Sequence, residues 1–151
     1  MKRWTLAILP AVALAAAPSS PSEGVSAATR HRVRMIQQGT QYKFDPANLR
    51  ILPGDTVDFV NVSGWPHNVQ FFPNRIPPGS ADVLNRAMPN RMGPLAGPML
   101  TAPNAVYRIV FTGVPEGTYD YFCLPHQALG MTATLVVARS AAPAAPARRT
   151  P

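Results

Sequence analysis

The sequence has 151 residues, enough for one domain with a sizeable core. Eighteen prolines and ten glycines beside only 14% charged residues point to short strands and turns rather than long helices. The net charge of +7 comes from basic residues scattered along the sequence, without the aromatic-interleaved stripe a nucleic-acid binder needs; steering towards an acidic protein partner fits the charge better.

Met1-Lys2-Arg3 is a positive start, and Trp4 to Ala17 is an apolar run of signal-peptide length, too short to span a bilayer. Cleavage after Ala28, with Ser26 at the −3 position, satisfies the small-x-small rule; Pro18 disfavours cleavage after Ala17. Residues 1–28 are expected to be a signal peptide and the mature protein to be periplasmic or secreted. The segment holds no cysteine for a lipid anchor. Its removal leaves 12 basic against 6 acidic residues, a charge of +6.

Arg32 to Gln38 alternates, with Val33 and Met35 on one face and Arg32 and Arg34 on the other, which predicts a half-buried strand. Short apolar pieces follow at Tyr42 to Phe44 and Leu49 to Leu52. Pro53-Gly54-Asp55 is a turn signal. Thr56 to Val62 reads as a strand with Val57 and Phe59 opposite Asp58. Val69 to Phe72 extends again. Residues 73–103 carry seven prolines and three glycines without a clear period and read as a loop, with Asp82 to Met88 as a short helix inside it. Ala105 to Phe111, Thr118 to Cys123 and Met131 to Ala138 are the remaining strands. Tyr119, Tyr121 and Cys123 share a face, as do Ala133, Leu135 and Val137. Residues 139–151 are Ala/Pro/Arg-rich, cannot bury a core face and are expected to be disordered. Many short strands with little helix predict an all-β, antiparallel β-sandwich.

The chemistry is concentrated in Cys123-Leu124-Pro125-His126-Gln127-Ala128-Leu129-Gly130-Met131, which places a thiol, an imidazole and a thioether within one short stretch. Thiolate and thioether favour copper, and imidazole suits either copper oxidation state. Cys123 is the only cysteine, so no intramolecular disulfide is possible. His67, in Gly64-Trp65-Pro66-His67-Asn68-Val69, completes a trigonal His–Cys–His set, with Met131 as a weak axial ligand. Pro66 and Pro125 stiffen both ligand loops by fixing φ.

These motifs resemble those of a type 1 (blue) copper protein of the cupredoxin family, in its plastocyanin and pseudoazurin branch. The matching segments are Pro66-His67-Asn68-Val69, the C-x2-H-x4-M spacing of Cys123, His126 and Met131, the run from Asp45 to Asn61, and Gly117 to Cys123. Together they cover roughly residues 32 to 138. The resemblance implies a Greek-key cupredoxin barrel of about eight strands over residues 29–138. It implies one copper ion held by His67, Cys123, His126 and Met131. It implies that Asn68 ties the two ligand loops together. It also implies that electrons leave by the imidazole edge of His126, within an apolar patch of Leu124, Pro125, Ala128, Leu129 and Gly130, with Trp65 and Pro66 nearby.

Other metal chemistries fail on ligand counts. A bridged binuclear copper centre needs two cysteines, structural zinc disfavours methionine, and a multicopper oxidase needs further histidines and a second domain. A Cys–His nucleophile would lose its thiolate to the metal. The expected function is therefore an exported, monomeric carrier of single electrons, not an enzyme, with no membrane span in the mature form. Its partners would be redox proteins, a cytochrome or a copper or haem enzyme. The alternative is a periplasmic copper-binding or delivery protein using Met88, Met92 and Met99 of the loop as Cu(I) ligands. A third reading is an interaction module with a vestigial site, which the complete ligand set disfavours. Packing is the default role of those methionines and of Met35. His31 lies outside the motifs and is expected to be solvated.

Overall fold

The computed structural model describes residues 27–139. The leader expected over 1–28 and the tail over 139–151 lie almost wholly outside the described residues. Eight strands form: β1 (Arg30–Gln38), β2 (Gln41–Asp45), β3 (Asn48–Ile51), β4 (Thr56–Asn61), β5 (Gln70–Phe71), β6 (Val106–Val110), β7 (Gly117–Phe122) and β8 (Thr132–Val137). They make two four-stranded sheets, ordered β2-β1-β4-β6 and β3-β8-β7-β5.

The sheets are mixed rather than wholly antiparallel. β1 runs parallel to β4, and β3 runs parallel to β8. The reason lies in the path of the chain. After the β1–β2 hairpin it crosses to the second sheet as β3, then returns beside β1 as β4. Two strands joined by such a crossover pair in parallel, and a period-two pattern reads the same in either case.

Alternating residues of β1, β7 and β8 fill the space between the sheets. Val33, Met35, Tyr119, Tyr121, Leu135 and Val137 are fully buried. Tyr121 is the hub, meeting Phe44, Phe59 and Phe71 at centroid distances of 4.7, 5.6 and 5.6 Å. Aromatic pairs of this kind add about 0.5–1.5 kcal/mol each beyond the area they bury.

β4 departs from simple alternation. Every residue from Val57 to Asn61 is buried, Asp58 and Val60 included. β4 lies between β1 and β6, and Arg108 on β6 closes over Asp58 with a fork of two bonds, Nε to Oδ1 at 2.7 Å and Nη2 to Oδ2 at 3.0 Å. Arg30 approaches the same carboxylate at 3.9 Å. Basic residues that are scattered in sequence thus meet in space: Arg30, Arg32 and Arg34 alternate along one face of β1, and Arg32 and Arg108 are both in register with Asp58.

The Pro-rich loop is well tied. It contains α1 (Ala81–Ala87), close to the expected helix, whose Leu84 is fully buried. The Asn85 side chain accepts the Leu95 N–H at 2.7 Å, and Gly97 N–H donates to the Val69 carbonyl at 2.8 Å. Asn61, also buried, donates its amide to the carbonyls of Leu100 and Ala102 at 3.0 and 2.8 Å. Met88 belongs to the core at 3% exposure, while Met92 is 51% exposed. Of the three thioethers considered for copper delivery, Met88 is therefore committed to packing, as is Met35.

His31 is not a free, solvated side chain. Its Nε2 lies 2.8 Å from Oδ2 of the buried Asp55, and its side chain is only 24% exposed. No helix among the described residues is long and apolar enough to cross a membrane.

Candidate metal centre

Three separated pieces of chain meet at one end of the sandwich. Cys123 directly follows β7 and is fully buried. A 3-10 helix, Leu124–Leu129, starts at once, with Pro125 in its first turn. It ends at Gly130, whose φ of 81° is in the left-handed region that suits glycine. Met131 N–H donates to the His126 carbonyl, and Cys123 N–H to the Met131 carbonyl, both at 3.1 Å. The loop is thereby closed on itself, with the Met131 side chain wholly buried.

His67 lies between β4 and β5, outside both strands. It forms a two-bond bridge with Leu100: His67 N–H to the Leu100 carbonyl at 3.1 Å, and Leu100 N–H to the His67 carbonyl at 2.7 Å. Its ring is fully buried. His67 Nε2–H donates to the Ser63 carbonyl at 2.8 Å. That bond fixes the tautomer and leaves Nδ1 with a lone pair, 3.4 Å from Cys123 Sγ. His126 turns its own Nδ1 to the same sulfur, also at 3.4 Å. The three ligating atoms all lie within 4.8 Å of one another.

The donor set fits a soft cation. One sulfur and two imidazole nitrogens are turned towards one point, the thiolate and imidazole set that copper takes. Burial pushes both imidazoles below their ordinary value, although the Ser63 bond partly opposes this at His67; the charge of His67 adds to the effect at His126. Both are thus neutral and able to ligate at neutral pH. Burial pushes the Cys123 thiol up, while the backbone N–H groups of Asn68 and His126 pull it partly back. A metal entering here must displace that proton.

Asn68 ties the two ligand loops together, its Oδ1 accepting the Leu124 N–H at 2.7 Å. Sequence reading missed two further contributors. Tyr42, on β2, stacks on His126 with ring centroids 3.8 Å apart and planes 10° apart, and meets His67 edge-on at 6.3 Å. Ser63 presents the carbonyl that orients His67. Its own hydroxyl is held by Gln37, accepting the N–H at 3.0 Å and donating to the carbonyl at 3.3 Å. Nothing local to either residue marks it as part of the site.

The surface above the site is apolar. Trp65, Leu124 and Leu129 are 51, 46 and 59% exposed, and Pro66, Pro125 and Ala128 are exposed beside them. His126, at 8% exposure against 0% for His67, is the ligand candidate nearest the solvent.

Comparison with known proteins gives this geometry its place. The family model described as copper binding proteins of the plastocyanin/azurin family matches residues 31–138. The chain belongs to the plastocyanin/azurin family. A plastocyanin of Synechococcus sp. is 36% identical over 112 residues, which is 74% of this chain and 76% of the relative. A plastocyanin of Nostoc punctiforme is 30% identical over 137 residues, 91% and 94% of the two chains. Among solved structures, a mutant plastocyanin of a fern superposes with a TM-score of 0.56 at 26% identity, covering 71% of this chain and 99% of its own. The pseudoazurin of Methylobacterium extorquens AM1 gives 0.51 at 26% identity, covering 74 and 76%. The fold is the cupredoxin β-sandwich, and the cofactor is one type 1 copper ion.

Proposed function

We propose that the chain is an exported carrier that passes single electrons between redox proteins, through one copper held by His67, Cys123, His126 and Met131. Membership of the plastocyanin/azurin family makes it a copper electron-transfer protein. The observation that carries the assignment of ligands is the convergence of His67 Nδ1, Cys123 Sγ and His126 Nδ1 in one buried cluster.

Copper bound there supplies a one-electron couple between Cu(II) and Cu(I). The chain supplies rigidity and access. Pro66 and Pro125 fix φ in the two ligand loops. The Ser63 carbonyl and the Tyr42 ring hold the two imidazoles, and Asn68 holds the loops to each other. A centre held on so many sides changes shape little when its charge changes, so little reorganisation opposes transfer. Burial of Cys123, His67 and Met131 keeps water out. Electrons enter and leave by His126, under the rim of Trp65, Leu124, Pro125 and Leu129. A small apolar contact of this kind suits a weak, quickly dissociating encounter. The net positive charge favours an acidic partner. The molecule acts as a carrier rather than a catalyst. Export is supported by the charged start, apolar run and small-residue site of residues 1–28.

Stopped-flow oxidation of the reduced protein by a c-type cytochrome tests this reading. Leu129→Asp is expected to slow the second-order rate about tenfold or more while leaving the visible spectrum unchanged. An unchanged rate would remove the apolar rim from the encounter.

A further inference from the structure

The far end of the sandwich holds a second cluster unrelated to copper. Asp55 is 2% exposed, in the turn before β4. Its carboxylate is surrounded by donors: Thr29 N–H on Oδ1 at 2.7 Å, Leu52 N–H on Oδ2 at 2.9 Å, and His31 Nε2 beside Oδ2 at 2.8 Å. Burial alone would raise its pKa, yet these donors hold it below the usual carboxylate range, so it is charged at neutral pH.

Thr29 is held on both sides, because its carbonyl also accepts the Thr56 N–H at 2.9 Å. Ala27 and Ala28 are exposed and make no hydrogen bond to the described residues. Among the described residues, the first one fixed to the fold is therefore Thr29, which in the sequence follows the small-x-small triplet Ser26-Ala27-Ala28.

We propose that the Ala28–Thr29 bond is a processing site, and that Asp55 is the receptor for the new terminus. This rests on export of the chain. An endopeptidase reading the small side chains of Ser26 and Ala28 adds water across the bond. The Ala28 carbonyl carbon leaves as a carboxylate, and the Thr29 nitrogen becomes an amine that takes up a proton. The nitrogen that donates one neutral amide hydrogen to Asp55 then carries a positive charge in the same place. A cleft of about 290 Å³ lined by Thr29, His31, Arg50 and Asp55 leaves room for it. The other ionisable group against Asp55 is His31 on β1, and Arg50 on β3 lines the same cleft. The amide already donates to an ionised carboxylate; the ammonium adds a full opposite charge beside that buried group, so cutting fastens the start of β1, a strand interior to its sheet, to the turn before β4. The leader has a second effect while present: it withholds that charge, leaving the domain less stable until the cut is made.

Export of the full chain in a bacterial host, followed by intact-mass analysis, tests the cut. The expected product begins at Thr29. A product that keeps residues 1–28 defeats export itself, and one that begins elsewhere defeats this site alone. The ion pair is tested on the metal-free exported product, before and after selective acetylation of its α-amino group, which removes the charge but keeps an N–H. Acetylation is expected to raise the urea unfolding constant about tenfold, and to have no effect in Asp55→Asn. Equal unfolding of the free and acetylated forms overturns the pair. Should Asp55→Asn fail to fold, NMR titration of the Thr29 amine decides: a pKa above the ordinary value of about 8 supports the pair, and an ordinary value overturns it.

Discussion

The ring of Tyr42 lies flat on that of His126, with centroids 3.8 Å apart and planes 10° apart. The stack joins β2 to the loop that carries two more of the proposed ligands. It covers the imidazole nearest solvent and restrains its rotation. Tyr42→Leu is expected to lower stability by about 0.5–1.5 kcal/mol beyond the lost burial and to shift the reduction potential, since His126 becomes free to turn. Tyr42→Phe keeps the stack and is expected to leave both unchanged. Urea melts and cyclic voltammetry of the two variants check this.

Asn68 reaches the other ligand loop through one bond, Leu124 N–H to Oδ1 at 2.7 Å. Asn68→Ala leaves that N–H without its partner, at a cost of about 1–3 kcal/mol. Copper affinity is expected to fall by roughly 10–100-fold, as for other residues that orient ligands. Competition with a chelator of known affinity measures it.

Gly64 has φ of +76°, and a Cβ there would meet Gln37 Cβ at 2.5 Å and Tyr42 Cε1 at 2.9 Å. Gly64→Ala therefore displaces both the Tyr42 ring and the 62–64 turn, whose Ser63 carbonyl orients His67. The variant is expected to be destabilised and, where folded, to show an altered copper spectrum. A variant with native melting and a native spectrum would contradict the close packing around this turn.

Acid should weaken the metal-free protein in two stages. Burial lowers His67 and His126 below 6.5, so as pH falls past 6.5 the unfolded chain takes up protons that the fold refuses. Stability is full above that value and declines as pH falls through the folded-state values. Asp58 is held below 3.8 chiefly by its bond to Arg108, against burial, with Arg30 and Arg32 helping. Its contribution is present above 3.8 and is lost as pH falls through its folded value. Urea midpoints at about pH 7.5, 5.5 and 3 should decrease in that order. Equal midpoints at the first two would contradict the burial of neutral imidazoles.

Most of the candidate site was legible because its chemistry is local, and the structure brings His67, Cys123 and His126 together. Cys123, His126 and Met131 lie on one loop, and His67 is flanked by its own motif of Pro66 and Asn68. Tyr42 and Ser63 were not legible, because each acts on a histidine through the closure of the sandwich rather than through spacing. The strands were legible from alternation, but their pairing was not, since parallel and antiparallel neighbours share a period of two. Alternation puts Asp58 opposite Val57 and Phe59, but not under Arg108, which comes 50 positions later and is folded over it. His31 reads as solvated for the same reason: its partner Asp55 is 24 positions away.

The most direct test of the copper centre is the visible absorption spectrum of the exported protein loaded with Cu(II), beside Cys123→Ser. The account predicts an intense blue thiolate-to-copper band that disappears in the variant and on reduction. A colourless protein, or a band that survives the loss of Cys123, would contradict it.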